Sequence, residues 1–201
     1  MQTSIATLTV KGLAPYSQSR QHDDPYLEGE THDAYDKRTW ASKQTVDVRN
    51  GKKTVVVPAH GLHQCISAAA KYSKRQIPGQ GKATWTAKFQ SGLAVLEDPA
   101  LNVDPDTVSS VVISANADGI RGSGKRVPRR FPVIPGGWQF TTEIYILDPI
   151  ITKDVFAEML EIAGMFIGIG RFRPEKGGTN GRFTLSRLEW VDNRALVALA
   201  A

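Results

Sequence analysis

The chain has 201 residues and a mass of 22.0 kDa, and its 41% hydrophobic and 22% charged content suffices for one core or two small ones, which excludes disorder, collagen and a bare coiled coil. Its 25 Lys and Arg against 20 Asp and Glu give a net charge of +5 and an isoelectric point near 9.4, which allows an anionic partner without requiring one. A lone Cys65 excludes a disulfide framework or a multi-thiolate zinc ribbon, and the start shows no signal-like block nor the chain any long apolar run, so a soluble, cytoplasmic protein with no membrane contact is expected.

Thr3 to Leu13 alternates Ile5, Thr7 and Thr9 with Ala6, Leu8 and Val10, the period of an opening strand that Pro15 ends. Residues 16–50 run polar, with six acids and one base from Arg20 to Asp36, and read as an extended acidic insertion. Thr54 to Val57 reads as a short strand. Pro58 then suits the first turn of a helix over 59–75, whose apolar face is Leu62, Cys65, Ile66 and Ala69 and which Pro78, Gly79 and Gly81 break. Phe89 to Leu96 and Val108 to Ala115 are apolar, β-branched runs between turn signals, predicted as two central strands.

Residues 119–137 hold five glycines, three prolines and five cations and read as a projecting basic loop. Trp138 to Leu147 is a further strand. Thr152 suits the N-cap of a second helix, with Asp154 in its first turn, a stripe of Val155, Phe156, Met159, Leu160, Ala163 and Ile167, and an end at Gly164, Gly168 and Gly170. Arg182 to Val191 alternates as a last strand. This order predicts a single α+β domain over 1–201, an antiparallel sheet with two helices on one face, ferredoxin-like or RNA-recognition-motif-like, with long insertions.

Charge is segregated along the chain. Windows 71–88 and 121–130 each carry five bases and no acid, and 171–187 carries five bases opposed only by Glu175, so these 45 residues hold a net +14. If folding joins the windows, the result is a basic stripe, whose usual partner is a phosphate backbone. Aromatics adjoin each window: Tyr72 and Trp85, Phe131 and Trp138, Phe172 and Phe183. A positive groove with stacking rings suits single-stranded nucleic acid, although a ring in a strand is more often core than platform.

The densest motif runs from Gly168-Ile169-Gly170-Arg171-Phe172-Arg173 through Gly177-Gly178 to Gly181-Arg182-Phe183. Its glycines permit positive φ and close backbone approach, so N–H groups can meet phosphate oxygens while Arg171, Arg173, Lys176 and Arg182 supply charge. It is no dinucleotide fingerprint, because Arg173 stands where the third Gly belongs and the loop follows a helix. Gly79-Gln80-Gly81-Lys82-Ala83-Thr84 fails as a phosphate-binding P-loop, with Ala83 in place of the magnesium-holding hydroxyl.

A glycine-rich loop between the last helix and last strand of a ferredoxin-like domain resembles the RAMP superfamily, the CRISPR-associated proteins that bind guide RNA. The resemblance implies that the loop contacts a nucleic-acid backbone, and that an extended arm serves side-by-side assembly. Tyr16-Ser17 with Ser19-Arg20, Tyr35 with Arg38 and Trp40, Ile77-Pro78-Gly79 with Gly81-Lys82, and the 168–183 loop are also similar to a group of phage and prophage proteins. That similarity implies a phage origin and a place beside replication or recombination proteins.

His60 and His63 open the first helix, where some RAMP members use a histidine for metal-independent RNA cleavage, and histidine is the natural acid or base near neutrality. No second catalytic partner is evident. His22, Asp23, Asp24, His32 and Asp33 offer ligands for a divalent metal, but their irregular spacing favours a solvated acidic arm that masks the basic groove or docks on a neighbour.

The expectation is therefore a non-enzymatic, sequence-independent binder of single-stranded DNA or RNA, DNA favoured, without cofactor or metal and assembling as a homo-oligomer or filament. The expected contacts are Arg171, Arg173, Lys176, Arg182, Gly168 and Gly170 in the glycine loop. Lys125, Arg126, Arg129 and Arg130 act on the basic loop, Lys74, Arg75 and Lys82 after the first helix, and Trp40 and Tyr16 as stacking aromatics. The alternatives are a metal-independent endoribonuclease and a phage inhibitor that binds a host protein complex.

Overall fold

The computed structural model describes residues 3–116 and 124–192. Strand β1 (Ser4–Gly12) forms where the alternation predicts it. It lies between β8 (Gln139–Ile146), paired from Ser4↔Ile146 to Lys11↔Gln139, and β9 (Phe183–Val191), paired from Ile5↔Val191 to Gly12↔Phe183 with a bulge between Thr9 and Val10. The two-residue β5 (Leu93–Ala94) completes an antiparallel sheet of order β5-β8-β1-β9.

Two helices connect these strands. α2 (Ala59–Ser73) follows β1 and buries Leu62, Cys65, Ile66, Ala69 and Ala70. α4 (Lys153–Ile162) follows β8, with the Thr152 hydroxyl accepting from the Val155 amide at 3.4 Å and with Val155, Phe156, Met159 and Leu160 buried. Strand, helix, two strands, helix, strand in this spatial order is the ferredoxin-like arrangement the sequence predicts. Leu8, Phe140, Ile144, Phe156, Met159 and Phe183 are fully enclosed in its core, each contributing about 1.5–3 kcal/mol by leaving water. The opposite sheet face carries Thr7, Thr9, Lys11, Thr141 and Glu143, with the Thr9 and Thr141 hydroxyls 2.9 Å apart. Tyr145, Arg187 and Glu189 share this face, where the two cations Lys11 and Arg187 are balanced by the two acids Glu143 and Glu189, so it forms no basic surface.

Two stretches depart from expectation. Residues 85–91 form helix α3 (Trp85–Ser91) instead of leading a strand, because Trp85 and Phe89, one turn apart, are both buried with their rings edge-on at 6.3 Å. Only Leu93 and Ala94 then pair. Val108 to Ala115 does give a strand, β6 (Ser109–Asn116), but on the edge of a second sheet of order β2-β7-β6, with β2 at Tyr16–Ser17 and β7 at Arg126–Ile134.

β7 corrects the reading of 119–137 as a loop, of which 119–123 lie outside the described residues. Its prolines misled because they occupy outward positions. Arg130 points its N–H and C=O away from β6, since both bond elsewhere, and Pro128 and Pro132, two residues either side, share that direction. A proline there loses no ladder bond.

The 16–50 segment is packed, not a solvated arm. It contains helix α1 (His32–Thr39), capped by the Thr31 side chain on the Ala34 amide, a 3-10 turn at Trp40–Lys43, and β3 (Val46–Arg49), which joins β4 (Lys52–Val55) through Asn50 and Gly51, both at positive φ. Tyr26 stacks on Tyr35 at 3.8 Å, and Arg38 donates to Glu30, whose carboxyl it and the Leu27 amide hold down at about 2. Asp36, 2% exposed, accepts from both the Lys43 ammonium and the Arg130 amide, while Lys43 also donates to the Arg130 carbonyl at 2.7 Å. The Asp36–Lys43 pair thus satisfies β7 as a neighbouring strand would. The acidic helix docks on its own chain's basic strand.

Candidate nucleic-acid interface

After α4 the chain makes a π turn over Ala163–Ile167 and enters the glycine-rich loop. Gly168 and Gly170 have φ of +73° and +75°, and a Cβ on Gly170 would lie 2.6 Å from the Tyr16 ring and against the Ser17 carbonyl oxygen. Loop amides close mostly on the protein itself: Ile169 donates to the Gly181 carbonyl, Arg171 to Ser17, Gly178 to Arg173, Asn180 to Phe172 and Gly181 to Pro15. The glycines therefore chiefly let the loop fold against residues 15–17, which narrows the expectation that they free amides for phosphate.

One side of the loop forms the wall of a groove of about 1040 Å³. Gly168, Ile169, Gly170, Arg171 and Arg173 line this groove together with His60, His63, Gln64 and Lys71 of α2, and Ser19 and Arg20 also contribute, with Glu175 as its acid. His60, Gln64 and Lys71 are exposed and lie on the polar side of α2, opposite its buried stripe. That strip, and Arg20, were not foreseen as binding positions, although the polar half of the α2 periodicity carries the signal.

Arg171 is half-buried and its guanidinium lies 3.7 Å from the centroid of the Phe131 ring and 4.8 Å from that of Phe172. Its Nη1 donates to the Ser19 hydroxyl at 3.2 Å, whereas its buried Nε has no partner. On Phe131, itself buried, the Lys43 ammonium also sits, 4.7 Å from the centroid. The second and third basic windows thus meet at Phe131.

The other expected contacts are dispersed. Arg173 lines the groove but donates to Glu175 at 2.9 Å and to the Gly170 carbonyl at 3.3 Å, and Lys176 stands 3.6 Å from the same Glu175. Arg182 is folded onto the carbonyls of Met165 and Thr179. Arg75 pairs with Glu158 on α4, and Lys74 and Lys82 are exposed away from the groove lining. Arg126 bonds the Ser114 carbonyl at 3.3 Å, Arg130 reaches Asp33 at 3.7 Å, and Lys125 and Arg129 lie with them on the β6–β7 hairpin. The stripe therefore converges only in part.

Tyr16 is not an exposed stacking ring. It is 1% exposed, its hydroxyl accepts from Gln18 Nε2 at 3.0 Å, and burial pushes its phenol far above the usual range. Trp40 is half-buried and packed on the core, and Trp85, Phe131, Trp138 and Phe183 are buried too. Among the aromatics adjoining the windows, Tyr72 is the exposed one.

His60 and His63 both line the groove. Burial, and next the nearby His60, hold His63 below the ordinary histidine value, while burial pushes the Cys65 thiol up and leaves it unreactive. No cluster of three or more His, Cys, Asp and Glu able to hold a metal occurs among the described residues, and no helix there is long and apolar enough to cross a membrane.

The chain matches no protein-family model and no curated protein sequence. Solved structures do resemble it. The crystal structure of Cmr6 from Pyrococcus furiosus matches with a TM-score of 0.52 at 10% identity, over 91% of this chain and 98% of that one. A chain in the cryo-EM structure of the type III-B Cmr-beta bound to cognate target RNA matches with a TM-score of 0.48 at 12% identity, over 94% of this chain and 61% of its own length. The fold is accordingly α+β and RAMP-like.

Proposed function

We propose that the groove holds the backbone of a single nucleic-acid strand, without reading its sequence, and that the protein is a binder and not an enzyme. The observation that carries this is the apposition of Arg171 and the glycine loop to the polar strip of α2 with Arg20 and Lys71, a channel lined by several cations and one acid. The RAMP-like fold favours RNA over the DNA preferred from sequence alone. Backbone contacts of this kind weaken steeply with salt. The test is fluorescence anisotropy with single-stranded RNA, single-stranded DNA and duplex DNA across a salt series. Tight single-strand binding lost in Arg171→Ala is expected, and no binding to any of the three strands overturns the reading.

A second reading is favoured by His60 and His63 lying in this groove beside Lys71 and Arg171. Cleavage of a bound RNA strand would then follow, the adjacent 2′-hydroxyl bonding to phosphorus as one histidine takes its proton and the bond to the 5′-oxygen breaking as the other gives that oxygen a proton. His60→Ala and His63→Ala would abolish cleavage of a labelled RNA without added metal, whereas intact RNA after prolonged incubation with wild type excludes this reading.

A further inference from the structure

We propose that Tyr72 and Phe166 form a stacking platform for one nucleobase at the margin of the groove, an inference that rests on the groove holding a single strand. The two rings stack on each other with centroids 5.3 Å apart and planes 17° from parallel, yet Tyr72 is 56% and Phe166 52% exposed. Their chain neighbours Lys71 and Ile167 line the groove. The rings themselves do not line the groove; the pair stands just outside it, where the last turn of α2 meets the π turn, and a base there would belong to a strand leaving the cationic wall.

The local backbone holds the rings outward. A π turn fits one residue more than an α turn, and here Ala163, Gly164 and Ile167 remain buried while Met165 and Phe166 face solvent. Gly164 packs so tightly on the Phe183 carbonyl of β9 that a Cβ would collide with it, which fixes the turn to the sheet. The backbone that carries Phe166 is thus anchored to the sheet, and its ring rests on that of Tyr72, so stacking of a base on the pair needs little reordering.

The surroundings select the occupant. Lys71 and Lys74 flank Tyr72 in sequence, and the Arg182 side chain bonds the Met165 carbonyl at 3.2 Å beside Phe166. Two half-exposed rings among cations match a base with its phosphates better than the apolar face of a protein helix. Every base has a π-face, so the platform adds affinity without adding sequence preference.

Short strands carrying 2-aminopurine at successive positions, whose fluorescence stacking quenches, would be titrated with wild type, Tyr72→Leu, Phe166→Leu and Arg171→Ala. Leucine keeps the apolar volume and removes the ring. The expected result is quenching at one position in wild type that both leucine variants lose. Their affinity should fall about tenfold, with the salt slope unchanged. A strand abasic at that position should bind wild type and both variants alike. Arg171-dependent binding that both leucine variants match in affinity and quenching overturns the platform alone. Failure of wild type to bind any strand overturns the platform and the groove reading together.

Discussion

The guanidinium of Arg171 lies 3.7 Å from the centre of the Phe131 ring, joining the glycine loop to the central strand of the second sheet. A planar cation stacks on a ring in a way that the compact lysine ammonium does not reproduce. Arg171→Lys is therefore expected to lose much of the affinity that Arg171→Ala loses, despite keeping the charge. For Arg171→Ala the slope of log K against log salt should fall by about 1. Anisotropy titrations across salt check both, and a lysine variant that binds like wild type would count against the stacked geometry.

Glu175 is the acid of the groove and is shared by Arg173 and Lys176. Glu175→Gln should free both cations for an anion, raising affinity several-fold and steepening the salt dependence. These are exposed ion pairs of about 0–1 kcal/mol, so the melting temperature should barely move.

The buried Asp36 answers both Lys43 and the Arg130 amide. Asp36→Ala leaves a desolvated ammonium and an unpaired amide, and should cost roughly 3–5 kcal/mol of stability in a urea titration. It should also loosen α1 from β7, seen as faster amide exchange across 126–134. A small stability loss with unchanged exchange would show that the helix is held by packing alone.

Gly170→Ala combines positive φ with a collision against Tyr16 and the Ser17 carbonyl. It should destabilise the fold by about 1–3 kcal/mol and weaken binding as well, because the loop must leave the segment that positions Arg171. Gly79→Ala, also at positive φ but in open space and outside the groove lining, serves as the control and should leave binding intact.

His63, held below its ordinary value, takes up its proton at a lower pH folded than unfolded. Stability through this group is therefore present above the unfolded value and falls as pH drops through it towards the folded one. A bound phosphate favours the charged imidazole, so binding should raise the His63 value and tighten as pH falls from about 7 to 5. NMR titration of the imidazole, free and bound, checks the sign, and an unmoved value would place the strand away from α2.

Much of the scaffold was readable from periodicity. β1, α2, α4 and β9 carry alternation or 3.6-residue stripes with caps at Pro58 and Thr152, and these local signals survive into the fold. What failed depended on partners distant in sequence. Pro128 and Pro132 read as loop residues because nothing local reveals that their missing N–H groups face away from β6. The acids of 21–36 read as solvated because Asp36 finds its amide 94 residues away. The glycine loop was legible as a motif, but the opposite groove wall was not, since composition cannot say which face of α2 the loop meets. Tyr16 illustrates the same limit: an aromatic among polar residues looks exposed until the loop closes over it.

The pairing of Ile5 with Val191 has a consequence for how the molecule is made. β1 leaves the ribosome first of the described strands, yet its partners β8 and β9 arrive last, so the central strand waits with both ladders open and Leu8 and Val10 uncovered. Connections this far apart in sequence slow folding towards the millisecond-to-second range and prolong exposure to aggregation. The groove, whose second wall precedes β9 by only a few residues, is likewise completed late, just ahead of the strand that closes the sheet. A nascent chain therefore carries no complete groove until its closing strand is nearly due.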